Sequence, residues 1–360
     1  MIWLFSIILS ISVLIQLYFW LVQFDRIARN QKNVTASGPL LELPTVTLII
    51  AAKNEANNLR LNMASWLQQD YPHLSIIIID DHSDDNTWEI IQSISDQRVT
   101  CLQSPEDCKG KKAALTYAIS RSSGEWIVTT DADCQPKSES WIRHLMDSRK
   151  DSDMIIGYSP YQRSQGWVSL LVSYEAWYVA MQYLSALLMG RPYMAVGRNL
   201  AFKKELFTKI GGYTNHQEVL SGDDDLFLQE AKKSGKIIST IDPKTWVWTS
   251  TPVKLKSYLR QKSRHLTTAP RYEVRDQLVL MMIFLSQLLF YVSIIVLSIG
   301  HPWVLSILMI RYVWISWVAR RSQRFLFLPI KWWTAPIMDL CLCLFYLFLS
   351  ISIRKTSSQW

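Results

Sequence analysis

Cysteine is scarce, five in 360 residues, and none of the five stands in a C-x-x-C pair or in zinc-ligand spacing. That argues against a zinc site or a redox pair. Cys341 and Cys343 fall inside an apolar stretch, and the thiols are expected to be reduced and structural. Internal repeats and low-complexity tracts are absent. A Walker A loop is also lacking: Pro105 stands where its first glycine belongs, and no Ser or Thr follows Lys111. Charge is missing altogether from Ile2 to Phe24 and from Gln277 to Ile299. Each run is long enough to span a bilayer.

Two further apolar stretches carry a single charge each, Arg311 in Pro302 to Ala319 and Asp339 in Trp332 to Ile353. The first run lacks a basic segment before it and a small-residue cleavage site after it, so it is expected to be a retained anchor rather than a signal peptide. The net charge of +8 suggests a nucleic-acid partner only until its distribution is considered. Basic residues gather beside the apolar runs, at Arg26, Arg29 and Lys32, between Lys254 and Arg275, and at Arg320, Arg321 and Arg324. That is the positive-inside pattern. It predicts no nucleic-acid partner and a multi-pass protein of the inner, cytoplasmic membrane with residues 25–276 in the cytoplasm.

The expected organisation is an anchor over 1–24, a linker over 25–44, a catalytic domain over 45–276, a membrane region of two or three helices over 277–353, and a tail over 354–360. Within the catalytic domain, strands are predicted at Thr45 to Ala51, Ser75 to Ile79, Val99 to Gln103 and Trp126 to Thr130. Helices are predicted between them at Glu55 to Gln68, Thr87 to Ser95 and Lys111 to Ser120. Such alternation means an α/β fold with a mostly parallel, Rossmann-like sheet and crossover helices. Gly166 to Met189 is apolar enough to resemble another span. Crossing there would separate the acidic clusters described next, so a buried or interface-lying helix is expected.

Two acidic clusters carry the chemistry. Asp131-Ala-Asp133 follows the apolar run Trp126 to Thr130, and carboxylates at the end of a buried parallel strand sit where open α/β sheets bind ligands. Spaced at i and i+2, they can offer oxygen ligands to Mg²⁺ or Mn²⁺, which in turn holds a diphosphate. The second cluster, Gly222-Asp223-Asp224-Asp225, can supply a base. At the ends of the first two strands lie Ala51-Ala52-Lys53-Asn54-Glu55 and Asp80-Asp81-His82-Ser83-Asp84-Asp85, where a nucleoside can be gripped. For Ser83, Asp84 and Asp85, helix capping is an equally good explanation. Lys109-Gly110-Lys111-Lys112 opens a helix and can meet phosphate through backbone amides and an ammonium.

The order of these motifs, together with Val196-Gly197-Arg198-Asn199-Leu200-Ala201-Phe202 and Gly211-Gly212-Tyr213, resembles glycosyltransferase family 2, the membrane-attached branch with a GT-A catalytic domain. The resemblance spans roughly residues 44–270. It implies nucleotide contacts from Ala51, Glu55, Asp80 and Asp81, a diphosphate contact from Lys111, and a metal held by Asp131 and Asp133. It also implies a catalytic base at Asp224, with Asp223 as the fallback.

One departure from the family stands out. Processive members carry Gln-x-x-Arg-Trp downstream, whereas this chain reads Gln261-Lys262-Ser263-Arg264-His265. Arg264 can still clamp a diphosphate with its two-pronged guanidinium, while His265 replaces the Trp that would stack on an acceptor sugar. The expectation is therefore an inverting transferase moving a sugar from a nucleotide sugar, a UDP-sugar above all, to a lipid-linked or cell-envelope glycan acceptor. A polyprenyl phosphate is the alternative acceptor. A nucleotidyltransferase would need a glycine-rich, Arg-containing loop after the first strand, and a non-enzymatic membrane protein would not need clustered acids.

Overall fold

The computed structural model describes residues 2–29, 42–219, 221–252 and 254–352. Residues 30–41 of the expected linker and the expected tail lie outside the described residues. The chain divides into two compact units. One gathers Met1–Gln31, Arg163–Met189 and Thr251–Trp360; the other gathers Lys32–Gln162 and Gly190–Ser250.

The second unit is the α/β one. Its first four strands, β1 (Val46–Ala52), β2 (Leu74–Asp80), β3 (Val99–Gln103) and β4 (Trp126–Asp131), lie within a residue or two of the expected positions. Five more follow: β5 (Cys134–Pro136), β6 (Met154–Gly157), β7 (Leu200–Lys203), β8 (Ile237–Thr240) and β9 (Val247–Thr249). A seven-stranded sheet runs in the order β3-β2-β1-β4-β7-β6-β8. It is parallel through β3, β2, β1 and β4, while β7 runs antiparallel to β4 and β6. This is the mixed, mostly parallel sheet of a GT-A domain.

The parallel strands form because β-branched runs such as Ile76-Ile77-Ile78-Ile79 are buried on both faces. Helices cover those faces. Ala56–Leu67 turns Leu59 and Trp66 inward, and Trp66, Trp126 and Trp141 are almost fully enclosed. Each such side chain contributes roughly 2–3 kcal/mol of burial. Register matters more for function. Ala52 pairs with Asp80 across β1–β2 and Ala51 with Asp131 across β1–β4, so both carboxylates emerge at one sheet edge.

The other unit is helical. Four helices among the described residues are long and apolar enough to cross a membrane: Ile2–Arg29, Val274–Ser298, Pro302–Ser322 and Trp332–Ser350. Trp167–Leu188, the ambiguous apolar stretch, is a mostly buried helix and not among the four. Glu175 on it accepts hydrogen bonds from Tyr258 Oη (2.8 Å), Lys262 Nζ (2.6 Å) and Tyr346 Oη (2.7 Å). Two helices distant in sequence, Leu255–His265 and Ala335–Ser352, are thereby tied to one carboxylate.

The two lone charges of the apolar stretches find each other. Arg311 Nη1 donates to Asp339 Oδ2 at 2.7 Å with both side chains fully enclosed, and its Nη2 donates to Gln16 Oε1 at 3.0 Å. A buried pair of this kind is costly to break, about 3–5 kcal/mol for loss of one partner, because the other charge stays behind.

Candidate active site

The site is assembled at the carboxyl edge of β1, β2 and β4 in the α/β unit. Lys111, first residue of helix Lys111–Arg121, is its hub. Its Nζ lies 2.7 Å from Asp131 Oδ1 and 2.7 Å from Asp223 Oδ2, which joins the two acidic clusters across about ninety residues of chain. Burial disfavours the ammonium, but the two carboxylates outweigh that and hold it firmly protonated. The same balance runs the other way for Asp223, where burial is outweighed by Lys111 and the carboxyl sits below the usual carboxylate range.

Asp224 differs from its neighbour. Its Oδ2 accepts from Gly197 N at 2.9 Å and its Oδ1 from Asp225 N at 2.7 Å. Burial first, and the Asp223 charge second, push its carboxyl up to about 6. Two glycines make this arrangement possible. Gly222 takes φ +92°, and a Cβ on Gly197 would stand 3.2 Å from Asp223 Oδ2 and 3.3 Å from Asp224 Cβ. Asp225 is buried and accepts from Ala195 N at 3.2 Å, which gives it a structural part.

Asp131, Asp133 and Cys134 place one potential ligand atom each within 4.8 Å of one another. The donor set fits a hard divalent cation through its carboxylates alone. Cys134, fully enclosed on β5, has its thiol pushed well above the usual range by burial and by Asp133; it donates to Asp133 Oδ1 at 3.1 Å and stays protonated. Thr249 Oγ1 donates to Asp133 Oδ2 at 3.3 Å. Burial and then the Asp131 charge raise the Asp133 carboxyl, a repulsion that Mg²⁺ or Mn²⁺ between the two carboxylates would relieve.

At the end of β2, Asp80 is fully buried. Its Oδ2 accepts from Ser83 N (3.3 Å) and Gln103 Nε2 (3.4 Å), while Oδ1 has no partner. An orphaned buried carboxylate oxygen is a costly group that an incoming N–H or O–H would satisfy. Asp81 is already engaged by Gly110 N at 3.0 Å and, more distantly, by Lys53. Burial raises the Glu55 carboxyl, with Asp133 and Asp131 adding smaller repulsions. Ser83 and Asp85 serve the fold, since Ser83 Oγ accepts from Asn54 N and Asp85 Oδ2 from Ala56 N.

The structure thus brings Ala51, Glu55, Asp80, Asp81, Lys111, Asp131, Asp133, Asp223 and Asp224 into one unit. Gln261 and Arg264 lie on helix Leu255–His265 of the other unit.

Sequence reasoning gave no role to Arg198, although it stood inside the quoted run Val196 to Phe202. The loop carrying it is pinned from both sides. Thr129 Oγ1 donates to Gly197 O at 2.7 Å, and the enclosed Asn199 donates to Tyr158 O and Thr245 O at 2.8 Å each. Arg198 Nε donates to Ser159 Oγ at 2.7 Å, and its guanidinium sits 5.3 Å from the Tyr161 ring centre. Burial opposes its charge, but Tyr161, Cys134, Asp131 and Asp133 prevail and raise its pKa. A fixed cation beside the Asp131–Asp133 pair is suited to a diphosphate. Arg198→Ala is expected to lower kcat/KM for the donor by about 10–100-fold, a charged hydrogen bond contributing about 1.5–3 kcal/mol. Steady-state kinetics on folded variant checks this, and an unchanged kcat/KM would remove Arg198 from the site.

Comparison with known proteins agrees with this geometry. Residues 47–211 match the sequence model for glycosyl transferase family 2, the family whose order of motifs the sequence resembles. An Escherichia coli relative, UDP-Glc:alpha-D-GlcNAc-diphosphoundecaprenol beta-1,3-glucosyltransferase WfaP, is 32% identical over 130 residues, covering 34% of this chain and 48% of its own. The probable glycosyltransferase YdaM of Bacillus subtilis is 23% identical over 235 residues, 62% of this chain and 54% of its own. The chain spans about half the length of these curated relatives. Among solved structures, the mannosyltransferase PcManGT from Pyrobaculum calidifontis, in complex with GDP-Man and Mn²⁺, superimposes with a TM-score of 0.60. It covers 94% of this chain and 99% of its own at 16% identity, a likeness of fold.

Proposed function

We propose that this protein is a membrane-anchored, metal-dependent, inverting glycosyltransferase. It moves a sugar from a nucleotide sugar, a UDP-sugar in this reading, to a lipid-linked or cell-envelope glycan acceptor at the cytoplasmic face. The observation that carries the proposal is the Lys111 ammonium held between Asp131 and Asp223, because it joins the Asp131–Asp133 carboxylate pair to the acidic cluster that contains the candidate base Asp224. Further support comes from the relative whose name specifies UDP-Glc and a diphosphoundecaprenol-linked acceptor.

In this mechanism Asp80 and Glu55 receive the nucleoside, while Lys111 and Arg198 face the diphosphate. Asp131 and Asp133 would hold Mg²⁺ or Mn²⁺, which when bound neutralises the departing diphosphate. Asp224 takes the proton of the acceptor hydroxyl. That oxygen forms the new bond to the anomeric carbon as the bond to the diphosphate breaks, releasing the nucleoside diphosphate and inverting the centre. Arg264, which the sequence leads one to expect on the diphosphate, is tested by substitution. Arg264→Lys keeps the charge but loses the fork, so turnover should fall by more than donor affinity; native turnover in both the Lys and Ala variants would reduce it to a lipid-facing charge.

The deciding experiment is a donor screen. Purified protein is incubated with single nucleotide sugars and a short-chain lipid-linked acceptor, and release of the nucleoside diphosphate is measured. Release from one donor is expected, and none from any donor overturns the proposal. Orientation has its own test. A cysteine at Glu273 is expected to be labelled only from the cytoplasmic side and one at His301 only from outside, and reversed labelling would invert the topology.

A further inference from the structure

A cavity lies within the helical unit, and its lining differs in character from the acids of the α/β unit. It measures about 370 Å³ and is lined by Arg163, Ser164, Gln165, Leu170, Ser173 and Pro329, a size at the lower end of small-molecule clefts, about 300–1,000 Å³. None of the described lining residues is acidic. Arg163 is stacked over the Phe327 ring, 5.5 Å from its centre, which holds the planar guanidinium in place.

The cavity opens at the start of helix Trp167–Leu188, whose cap Gly166 offers no side chain and whose first turn holds no acid. The positive end of a 22-residue helix is therefore uncompensated. Ser169 and Ser173 follow on one helix face at i and i+4. Ser173, which lines the cavity, is 5% exposed; Ser169, also buried, is not one of the lining residues. The Ser173 hydroxyl, the Arg163 guanidinium that shares the cavity lining and the free helix start together offer donors to an oxyanion.

What distinguishes this cavity from a plain phosphate site is its lip. The exposed large hydrophobic residues of helix Trp167–Leu188 are Trp167, at 64%, and Leu170, at 39%, and both sit in its first turn beside the polar lining. A polar anion receptor with an apolar rim suits an amphiphile with an anionic head and a hydrocarbon tail.

We propose that this cavity binds the phosphate-bearing headgroup of a lipid, with Arg163, Ser173 and the start of helix Trp167–Leu188 on the phosphate and Trp167 with Leu170 along the chain. The inference rests on the membrane-anchored reading above and adds to it a place for the lipid part of the acceptor or of the surrounding bilayer.

The test uses the full chain in neutral detergent, titrated with a short-chain polyprenyl phosphate, with phosphatidylglycerol and with inorganic phosphate, binding being read by native mass spectrometry. Both lipids are expected to bind more tightly than inorganic phosphate. Arg163→Ala and Arg163→Glu, changes at an exposed position that folding should tolerate, are expected to weaken lipid binding by about tenfold or more. Ser173→Ala should weaken it less, and Lys256→Ala, the loss of another exposed charge, should leave it unchanged. Tighter binding of polyprenyl phosphate names the carrier lipid as the source, and equal binding names the ordinary phospholipid. Native affinity in Arg163→Glu, or inorganic phosphate binding as tightly as the lipids, overturns the proposal. Because binding is read without turnover, a wild type that binds lipid but acts on no donor would count against the enzymatic reading and leave this one standing.

Discussion

Asp224→Asn is expected to lower turnover by on the order of a hundredfold or more while leaving nucleotide-sugar affinity nearly unchanged. A base has to be deprotonated when the acceptor arrives yet basic enough to take its proton. A carboxyl pushed up to about 6 by burial and by the Asp223 charge is better placed for this than Asp223, which Lys111 keeps ionised and weakly basic. The sign of the pH dependence follows. Turnover should fall as pH drops through about 6, where Asp224 gains its proton, and that acid limb should be missing from whatever activity the Asn variant keeps.

Stability moves the other way. A carboxyl whose pKa is raised on folding stabilises the fold most when protonated, so its contribution is lost as pH rises through about 6. Replacing it by a neutral amide removes a charge the site already disfavours, so the variant should stay folded at neutral pH and its lost turnover cannot be ascribed to unfolding. Near-native rates in Asp224→Asn, or a product that keeps the donor's anomeric configuration, would show the assignment to be wrong. Loss confined to Asp223→Asn would move the base one residue back.

How much of this was legible beforehand depends on whether the information was local. The parallel half of the sheet was readable because β1, β2 and β4 are continuous apolar runs, and a fully buried strand has that signature. Their shared edge then put Asp80 and Asp131 together without further knowledge. β5 and β9 were not readable. Three residues each, they exist through mutual pairing between Cys134–Pro136 and Val247–Thr249, and a three-residue strand leaves no periodicity to detect.

Arg198 was hidden for a different reason. Its importance lies in standing over Tyr161 and beside Asp131 and Asp133, contacts that only the fold creates. The pairing of Arg311 with Asp339 belongs to the same class. Each looked like an isolated charge in an apolar stretch, and only the packing of helices supplied its partner. The contribution of Glu175, a single charge in a 22-residue apolar helix, was equally invisible until Tyr258, Lys262 and Tyr346 were seen to converge on it.

Asp133→Ala is expected to reduce turnover by about a thousandfold or more, because metal neutralisation of a leaving diphosphate is worth several kcal/mol. The rival explanation is that Lys111 and Arg198 neutralise the diphosphate unaided. Charge at the site decides between them. Asp131, Asp133, Asp223 and Asp224 face two fixed cations, so even with Asp224 protonated the site is net negative before a diphosphate enters. Each unit of uncompensated repulsion at about 4 Å costs about 4 kcal/mol at an effective dielectric near 20. Two cations already shared with carboxylates, Lys111 with Asp131 and Asp223 at 2.7 Å each, cannot offset that, whereas a divalent ion on Asp131 and Asp133 can. Calorimetric titration of Mn²⁺ with the nucleoside diphosphate present should show one site in the wild type and none in Asp133→Ala. Thermal melting should show the variant folded, since the substitution removes a carboxyl whose charge burial, and then Asp131, disfavour. Chelation by EDTA should abolish wild-type turnover and added Mn²⁺ or Mg²⁺ restore it. Full activity in EDTA would mean that Lys111 and Arg198 suffice and that the Asp131–Asp133 pair serves the fold.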